Sequence, residues 1–89
     1  MTHADIRREL IKNGNPKKLE KIRYYFNNTN LKMYGATTAV HRGLARDWAR
    51  EHRAASARDV IAFVNVLYAA PSFDERLIAS YILGRRVDV

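Results

Sequence analysis

Signals that start and stop helices recur along this chain and divide most of it into segments of helical length. In Thr2 and Asp5, a hydroxyl and a carboxylate three residues apart can satisfy the first free N–H groups of a helix. Proline is tolerated in the first turn of a helix, and glycine is favoured just beyond the last turn. From these signals we predict five helices, with caps at Thr2, Asn15, Thr38, Ser56 and Ser72.

The stop signals and the apolar patterns support this division. We expect Gly14 in "NGNP" to take the left-handed conformation that closes the first helix, and Gly84 to end the last one. The helix after Ser56 contains "ARDVIAFVNVLYAA", which is apolar over most of its circumference, so we expect it at the centre of the fold. Ser72 and Glu75 predict a complete capping box. No segment has the alternation that favours a strand.

Short breaks between the helices predict an all-α fold of antiparallel hairpins. The predicted helices run for roughly 11 to 15 residues and most breaks for about two to four, as in helical hairpins. We expect the helices after Thr38 and Ser56 to form one hairpin and the last helix to begin another. Hairpins in series build α-solenoids, whose repeats bury their apolar faces by stacking. We therefore predict a single helical domain, residues 1–89, with the architecture of an α-solenoid.

A solenoid repeat that lacks its neighbour leaves one apolar face of its last helix uncovered. In this chain that face is formed by Leu77, Ile78, Tyr81 and Ile82. We expect homo-association through this exposed face of the C-terminal helix.

The charge of the chain favours a polyanionic partner. Lys and Arg number 16 and Asp and Glu number 9, which gives a net charge of +7. This surplus attracts nucleic acid first and an anionic membrane second. No apolar run approaches the ~20 residues that cross a bilayer, so we expect no membrane partner. The absence of cysteine excludes disulfides, thiolate metal sites and cysteine nucleophiles, and it suits a reducing cytoplasm.

Four arginines lie on one side of the third predicted helix, which runs from Ala39 to about Arg53. Projection at 100° per residue places them within an arc of about 80° that spans ~16 Å of helix, enough for two or three to contact one nucleic-acid backbone. We call them the arginine row: Arg42, Arg46, Arg50 and Arg53. The alternative is a solvated face with local ion pairs to Asp47 and Glu51. Gly43 costs this helix roughly 1 kcal/mol relative to alanine, and we expect another backbone to approach it closely.

Other candidate chemistry in the sequence is weaker. His41 and His52 lie eleven residues apart, about 16 Å along a helix, which is too far to ligate one metal ion, so we interpret them as core or partly exposed residues. Asp74 and Glu75 begin a helix, where the macrodipole favours acids, and need no catalytic role. Tyr24 either stacks on bases or is simply exposed. We predict no catalytic residue, no metal and no cofactor.

The order of three segments resembles the N-terminal part of the DNA alkylation repair (AlkD-type) family. These segments are "NPKKLEKIRYYF", "YGATTAVHRGLARDWA" and "LYAAPSFDERLIASYIL". In that family, a helix with an Arg-Tyr pair leads to a glycine-containing loop and an arginine-rich helix. A helix that ends in Leu-Trp or Leu-Tyr, a turn with proline and an acid-capped helix follow. The resemblance covers residues from about 15 to 86.

The resemblance implies a right-handed superhelix of HEAT-like repeats with a concave, electropositive surface for duplex DNA. It also implies excision of cationic N3- and N7-alkylated purines by cleavage of the N-glycosidic bond, without a metal or organic cofactor. The family's catalytic aspartate and tryptophans lie further along the chain than Val89. We therefore expect an N-terminal segment of a longer repair enzyme, or a truncated relative, that is not a competent glycosylase by itself.

Only some of the functional positions of that family can be matched to residues of this sequence. The Arg-Tyr pair of the family matches Arg23 and Tyr24, and the tyrosine is expected to face the DNA cleft. Thr37 matches a polar position on the cleft side, whereas Ala39 departs from the proline common in the family. The loop from Gly35 to Thr38 is expected at the cleft rim. The predicted DNA-binding residues are Tyr24, Thr37, Thr38, Arg42, Arg46 and Arg50.

Two other functions are compatible with these features. A non-catalytic helical-repeat module would bind a protein through an exposed apolar patch on its concave side. A basic domain of the helix-turn-helix type would bind DNA alone, but the loop of residues 27–37 is long for that motif. For the repair function we expect a cytoplasmic, nucleoid-associated protein of bacterial type.

Overall fold

The computed structural model describes residues 1–15, 17, 20 and 33–86. These residues contain four α-helices and no strand: α1 (His3–Lys12), α2 (Thr38–Glu51), α3 (Ala57–Ala69) and α4 (Phe73–Arg85). The all-α prediction is therefore confirmed. The helix predicted after Asn15, with Tyr24 in it, lies outside the described residues except at Lys17 and Glu20, which are helical.

The first helix begins at the capping box that the sequence predicts. Thr2 Oγ1 accepts a hydrogen bond from Asp5 N–H at 3.2 Å, and the Asp5 carboxylate accepts one from Thr2 N–H at 2.8 Å. The backbone and hydroxyl hydrogen bonds from Thr2 lower the pKa of Asp5. The prediction of a cap at Ser56 is also confirmed, because its hydroxyl accepts from Asp59 N–H at 3.1 Å.

The cap of α2 differs from the prediction by one residue. Thr37, not Thr38, has the extended backbone of a cap, and its hydroxyl accepts from Val40 N–H at 3.2 Å. The helix therefore begins at Thr38 and ends at Glu51, two residues before the predicted end at Arg53. Adjacent threonines give the same local signal, so only the backbone conformation distinguishes them.

The structural reason for glycine at position 14 differs from the predicted one. The only described residue with a positive φ is Gly35, at 75°, so Gly14 is not left-handed. A Cβ on Gly14 would lie 2.4 Å from the carbonyl oxygen of Tyr34, and the neighbouring Asn15 N–H donates to Gly35 O at 3.0 Å. Gly14 is thus required by the close approach of two backbone segments. The Asn15 side chain accepts from Lys17 N–H at 3.0 Å, as the predicted cap should.

The central helix is α4, and the prediction that α3 would be central is wrong. α4 packs against α1, α2 and α3, most extensively against α2. Its apolar residues surround the helix instead of forming one stripe, as expected for a helix covered on several sides. α3 instead exposes Ile61, Val66 and Tyr68. The predicted pairing of α2 with α3 is therefore replaced by packing of α4 against both.

The apolar face of α4 is already covered within the chain. Ile78 and Ile82 are fully buried, and Leu77 and Tyr81 are partly buried. The prediction of an uncovered face on this helix is wrong, because α2 and α3 both pack on it. Because the face is covered, no uncovered apolar surface on this helix favours homo-association through it.

The core joins all four described helices. Trp48 of α2 lies between two rings, with centroid distances of 4.1 Å to His52 and 4.4 Å to Phe63 of α3, and both pairs are nearly parallel. The buried apolar side chains of the helices are Ile6, Leu10, Leu44, Ala45, Trp48, Val60, Val64, Leu67, Ile78, Ala79 and Ile82. In the part of the chain that is described, no helix is long and apolar enough to cross a membrane.

Candidate nucleic-acid interface

α2 presents its arginines to solvent and its apolar residues to the core. Arg42, Arg46 and Arg50 are exposed, whereas Leu44 and Trp48 are buried. Arg53 follows the end of α2 and is also exposed. The arginine row therefore lies on the solvent side of the helix that the 100° projection assigns to it.

Few arginines of the arginine row form ion pairs with described residues. Arg46 Nε lies 3.3 Å from Asp47 Oδ1, and both side chains are about half exposed. Glu51 instead pairs with the amino group of Met1 at 2.9 Å. Arg50 makes no salt bridge with any described residue. The alternative interpretation, a solvated face with local ion pairs, thus holds for one arginine of the row among the described residues, Arg46.

Two arginines from the end of α4 complete a basic groove beside α2. Arg85 and Arg86 face the C-terminal part of the arginine row across a shallow groove of about 250 Å³. Arg86 donates to the carbonyl oxygen of Ala55 at 3.0 Å, which fixes its guanidinium at the groove. We call this the arginine groove; its lining residues are Arg46, Ala49, Arg50, Arg53, Arg85 and Arg86.

A second groove continues the first toward the start of α2. It is lined by Arg42, Ser80, Tyr81, Gly84 and Arg85, and we call it the Tyr81 groove. The guanidinium carbon of Arg42 lies 5.4 Å from the centroid of the Tyr81 ring, a cation–π contact that holds Arg42 at this groove. Arg85 lines both grooves, so they form one continuous surface between α2 and α4.

Most acids among the described residues lie away from this surface. Neither groove has an acidic residue among its described lining residues. Asp47 and Glu51 face α1 on the other side of α2, where they line a groove with Asp5 and Glu9. Asp47 also contacts Arg46, which lines the arginine groove, so the positive potential beside α4 is partly opposed at this one arginine among the described lining residues.

Gly43, which lies in α2 between Arg42 and Arg46, has open space beside it. The nearest described atom to a Cβ built on Gly43 is Arg46 Nη2 at 3.9 Å. The predicted approach of another backbone is therefore not made by any described residue. A helical glycine costs roughly 1 kcal/mol relative to alanine, and packing among the described residues does not explain this cost.

The predicted rim residues lie at the start of α2. Thr37 uses its hydroxyl oxygen as the helix cap, which leaves the hydroxyl hydrogen able to donate. Thr38 is exposed and lies one helical turn before Arg42, on the same side of α2. Tyr24 lies outside the described residues. Sequence reasoning missed Arg85 and Arg86, because "GRR" looks like an ordinary helix end until α4 packs beside α2.

Two adjacent acids at the start of α4 are buried. The sequence predicts ordinary first-turn acids at these positions, but Asp74 Oδ1 accepts from His41 Nε2 at 2.6 Å, and Asp74 Oδ2 accepts from Tyr34 N–H at 2.8 Å. Burial raises the pKa of Asp74, but the hydrogen bonds from His41 and Tyr34 outweigh it, so the pKa lies below its ordinary value. His41 is buried, as predicted.

Glu75 connects α4 to α1. Its carboxylate pairs with the His3 imidazole and lies 3.6 Å from Arg7 Nη2. The complete capping box predicted for Ser72 and Glu75 is wrong in one half. Ser72 Oγ accepts from Glu75 N–H at 2.9 Å, but the Glu75 carboxylate is directed to α1 and makes no return bond. Both buried acids thus hold helices together, and neither lines the basic grooves.

The surface between α2 and α4 is suited to binding an extended anion. Guanidinium groups match phosphate oxygens bidentately, and their charge is insensitive to pH. Among the described residues, no three His, Asp or Glu side chains come together as metal ligands. The described surface therefore offers guanidinium groups as its hydrogen-bond donors to an anion.

Comparison with known proteins identifies the family of this chain. A family model described as DNA alkylation repair enzyme matches residues 6–88, which include most of α1 and the whole of α2, α3 and α4. No curated protein and no solved structure matches the chain. Both basic grooves lie within the matched residues. The chain belongs to the DNA alkylation repair enzyme family.

Proposed function

We propose that this chain binds duplex DNA through the arginine groove and the Tyr81 groove, as the N-terminal segment of a DNA alkylation repair protein with HEAT-like repeats. The observation that carries the proposal is the convergence of arginines from α2 and α4 on one surface without an acid among its described lining residues. Family membership supports DNA as the polyanion.

The dimensions of the arginine row suit a sugar–phosphate backbone. From Arg42 to Arg50 the row spans ~12 Å of the axis of α2, and each DNA strand carries a phosphate about every 3.4 Å along the duplex axis. Two or three phosphates can therefore pair with guanidinium groups of this row. Contacts of this kind position a duplex without reading its sequence, which suits a protein that searches for lesions.

The activity proposed for the whole protein is excision of N3- or N7-alkylated purines from damaged double-stranded DNA. We assign the described residues to binding and positioning of the duplex, and none of them to cleavage of the glycosidic bond. Thr38 is exposed one turn before Arg42, and we propose that it contacts the same DNA backbone. We propose that Thr37 and Tyr24 lie at the cleft. The proposed location is the cytoplasm, on nucleoid DNA.

A second candidate function is a non-catalytic module that binds a protein. The observation that favours it is a set of exposed apolar side chains on α3, with Ile61 and Tyr68 on one side of the helix and Val66 on another. These side chains belong to a different helix from the basic grooves, so the two functions make separate predictions. Substituting Ile61 and Val66 by aspartate would abolish protein binding and leave DNA binding unchanged.

Salt-dependent binding tests the first proposal. We expect a variant with Arg42, Arg46 and Arg50 changed to glutamine to bind a labelled duplex more weakly in fluorescence anisotropy. Each lost phosphate contact lowers the slope of log affinity against log salt by about 0.9, so loss of all three contacts lowers it by nearly 3.

The matched control removes the same charge elsewhere. Arg8, Lys12 and Arg58 are exposed and line neither basic groove. Their triple glutamine variant is expected to keep most of the salt slope. Equal slopes for the two triple variants, or an unchanged slope in the first, would show that overall charge and not this surface is responsible.

A further inference from the structure

The arginines of α2 differ in what holds their guanidinium groups. Arg46 pairs with the half-exposed Asp47 at 3.3 Å, and Arg50 makes no salt bridge with a described residue. Arg42 is held in another way, because its guanidinium carbon lies 5.4 Å from the centroid of the Tyr81 ring. No hydrogen bond or ion pair joins Arg42 to any residue that the structure describes. Arg42 is thus held in place by an aromatic ring and not by an acid.

The Tyr81 ring attracts this guanidinium without supplying an anion to its hydrogen-bond donors. The attraction comes from the negative face of the ring, which adds no charge to the site. A guanidinium carries five N–H donors in a planar fork that matches the oxygens of a phosphate. In Arg46, by contrast, the contact with Asp47 occupies Nε and places a carboxylate beside any phosphate that approaches. Arg42 therefore keeps its full charge for an anion.

The fold fixes the ring relative to α2. Tyr81 is half-buried and packs against the hydrophobic core. Asp74 lies seven residues before Tyr81, two helical turns away on the same side of α4. Its carboxylate accepts from His41, the residue before Arg42, at 2.6 Å. The two helices are therefore joined at the buried His41 and again at the exposed Arg42, so the ring and the guanidinium meet at a set position.

We infer that Tyr81 is a positioning residue for Arg42 and makes Arg42 the strongest phosphate contact of the arginine row. This inference rests on the proposed DNA-binding function and adds which contact dominates and what aligns it. An arginine that moves freely in solvent loses rotamer freedom when it binds a phosphate, and this loss weakens binding. The Tyr81 ring restricts Arg42 before a DNA strand arrives, so less freedom is lost on binding.

A double-mutant cycle of Tyr81→Leu and Arg42→Gln in the full chain tests this role. Binding of a labelled undamaged duplex is measured by fluorescence anisotropy. We expect Tyr81→Leu alone to raise the dissociation constant by about fivefold. The slope of affinity against salt should stay unchanged, because no charge is lost. In the Arg42→Gln background, the same leucine substitution should change the dissociation constant by less than about twofold.

Two further variants separate the ring from other effects. Tyr81→Phe keeps the aromatic face and should recover most of the affinity lost in Tyr81→Leu, and an equal loss in both would overturn the role of the ring. Arg50 lines the arginine groove but not the Tyr81 groove. In the Arg50→Gln background, Tyr81→Leu should therefore keep its fivefold effect. Equal effects in the Arg42→Gln and Arg50→Gln backgrounds would show that Tyr81 acts through the fold and would overturn the inference.

Urea unfolding checks that the leucine variant is folded. If it is not, Tyr81→Met takes its place in the cycle, because methionine is flexible enough to fill the same space without a ring. The same two outcomes then apply to Tyr81→Met. An effect that disappears with Arg42→Gln supports the positioning role, and an effect that persists there overturns it.

The two proposals fail differently. If the Arg42, Arg46 and Arg50 triple variant loses salt-dependent binding while Tyr81→Leu binds normally, DNA binding stands and the inferred role of Tyr81 is wrong. If the unchanged chain and the triple variant bind duplex equally weakly, the proposed function is wrong and the inference falls with it. Weakened binding by Tyr81→Leu that disappears in the Arg42→Gln background supports both.

Discussion

The His41 imidazole and the Asp74 carboxylate meet at 2.6 Å in the interior, where they join the first turns of α2 and α4. Asp74 also accepts from Tyr34 N–H, so one buried carboxylate holds two helices and the loop before α2. The helix that carries the arginine row is therefore positioned by a polar contact on its opposite, buried side.

Removing the Asp74 carboxylate should destabilise the fold strongly. Asp74→Ala leaves the His41 N–H and the Tyr34 N–H buried without their acceptor, and we expect a loss of about 3 kcal/mol in the free energy of unfolding. Urea unfolding measures it. Asp59→Ala, at an exposed first-turn acid of α3, is the control and should cost less than about 1 kcal/mol. Equal losses in the two variants would show that the buried pair adds nothing beyond a helix-end charge.

The lowered pKa of Asp74 predicts a defined loss of stability in acid. The unfolded carboxyl has a pKa of about 3.9 and the folded one lies lower, so the unfolded chain binds more protons in that window. The contribution of Asp74 is thus complete above about pH 5 and is lost as the pH falls through the folded pKa. Unfolding free energies of wild type and Asp74→Asn should converge as the pH falls below about 4. A difference that stays constant down to pH 2 would contradict this.

Gly14 should tolerate no side chain. A methyl group at this position would lie 2.4 Å from the Tyr34 carbonyl oxygen, and because both partners are backbone the strain can be relieved only by moving α1 or the loop. We expect Gly14→Ala to lower the free energy of unfolding by about 2 kcal/mol. Gly84→Ala, with open space beside it, should raise this free energy and is the matched comparison in the same urea experiment.

The buried carboxylate of Glu75 should hold α1 on α4. Its pairs with His3 and Arg7 are the polar contacts between these helices, beside the buried Ile6 and Leu10. In Glu75→Ala we expect faster amide hydrogen exchange in α1 than in α2, because α1 loses its charged anchor. Unfolding of the whole domain would raise exchange in both helices alike, so equal rates would show that Glu75 does not act on α1 selectively.

Arg85 should contribute a phosphate contact that the sequence patterns do not reveal. Arg85→Gln is expected to weaken duplex binding and lower the salt slope by about 0.9, the value for one phosphate. Arg58→Gln removes the same charge from an exposed position on α3 and should change the slope little. If the two variants give the same slope, the end of α4 does not contact the strand.

The features that were predictable from the sequence depend on bonds between near neighbours. The caps at Thr2 and Ser56 join residues three positions apart, so composition and spacing reveal them. The one-residue error at Thr37 arose because two adjacent threonines offer the same hydroxyl. The exposed side of α2 follows from helical periodicity, which is also a local property.

The sequence by itself determined the helical class, three helix starts and the side of α2 on which the arginine row lies. Only the tertiary structure decided that α4 is central, that Asp74 and Glu75 are buried, and that Arg85 meets the arginine row. The physical reason is distance along the chain. The His41–Asp74 pair joins residues 33 positions apart, and the Glu75–His3 pair joins residues 72 positions apart. Such contacts exist only after the helices pack, and no spacing in the sequence encodes which helix will lie between the others.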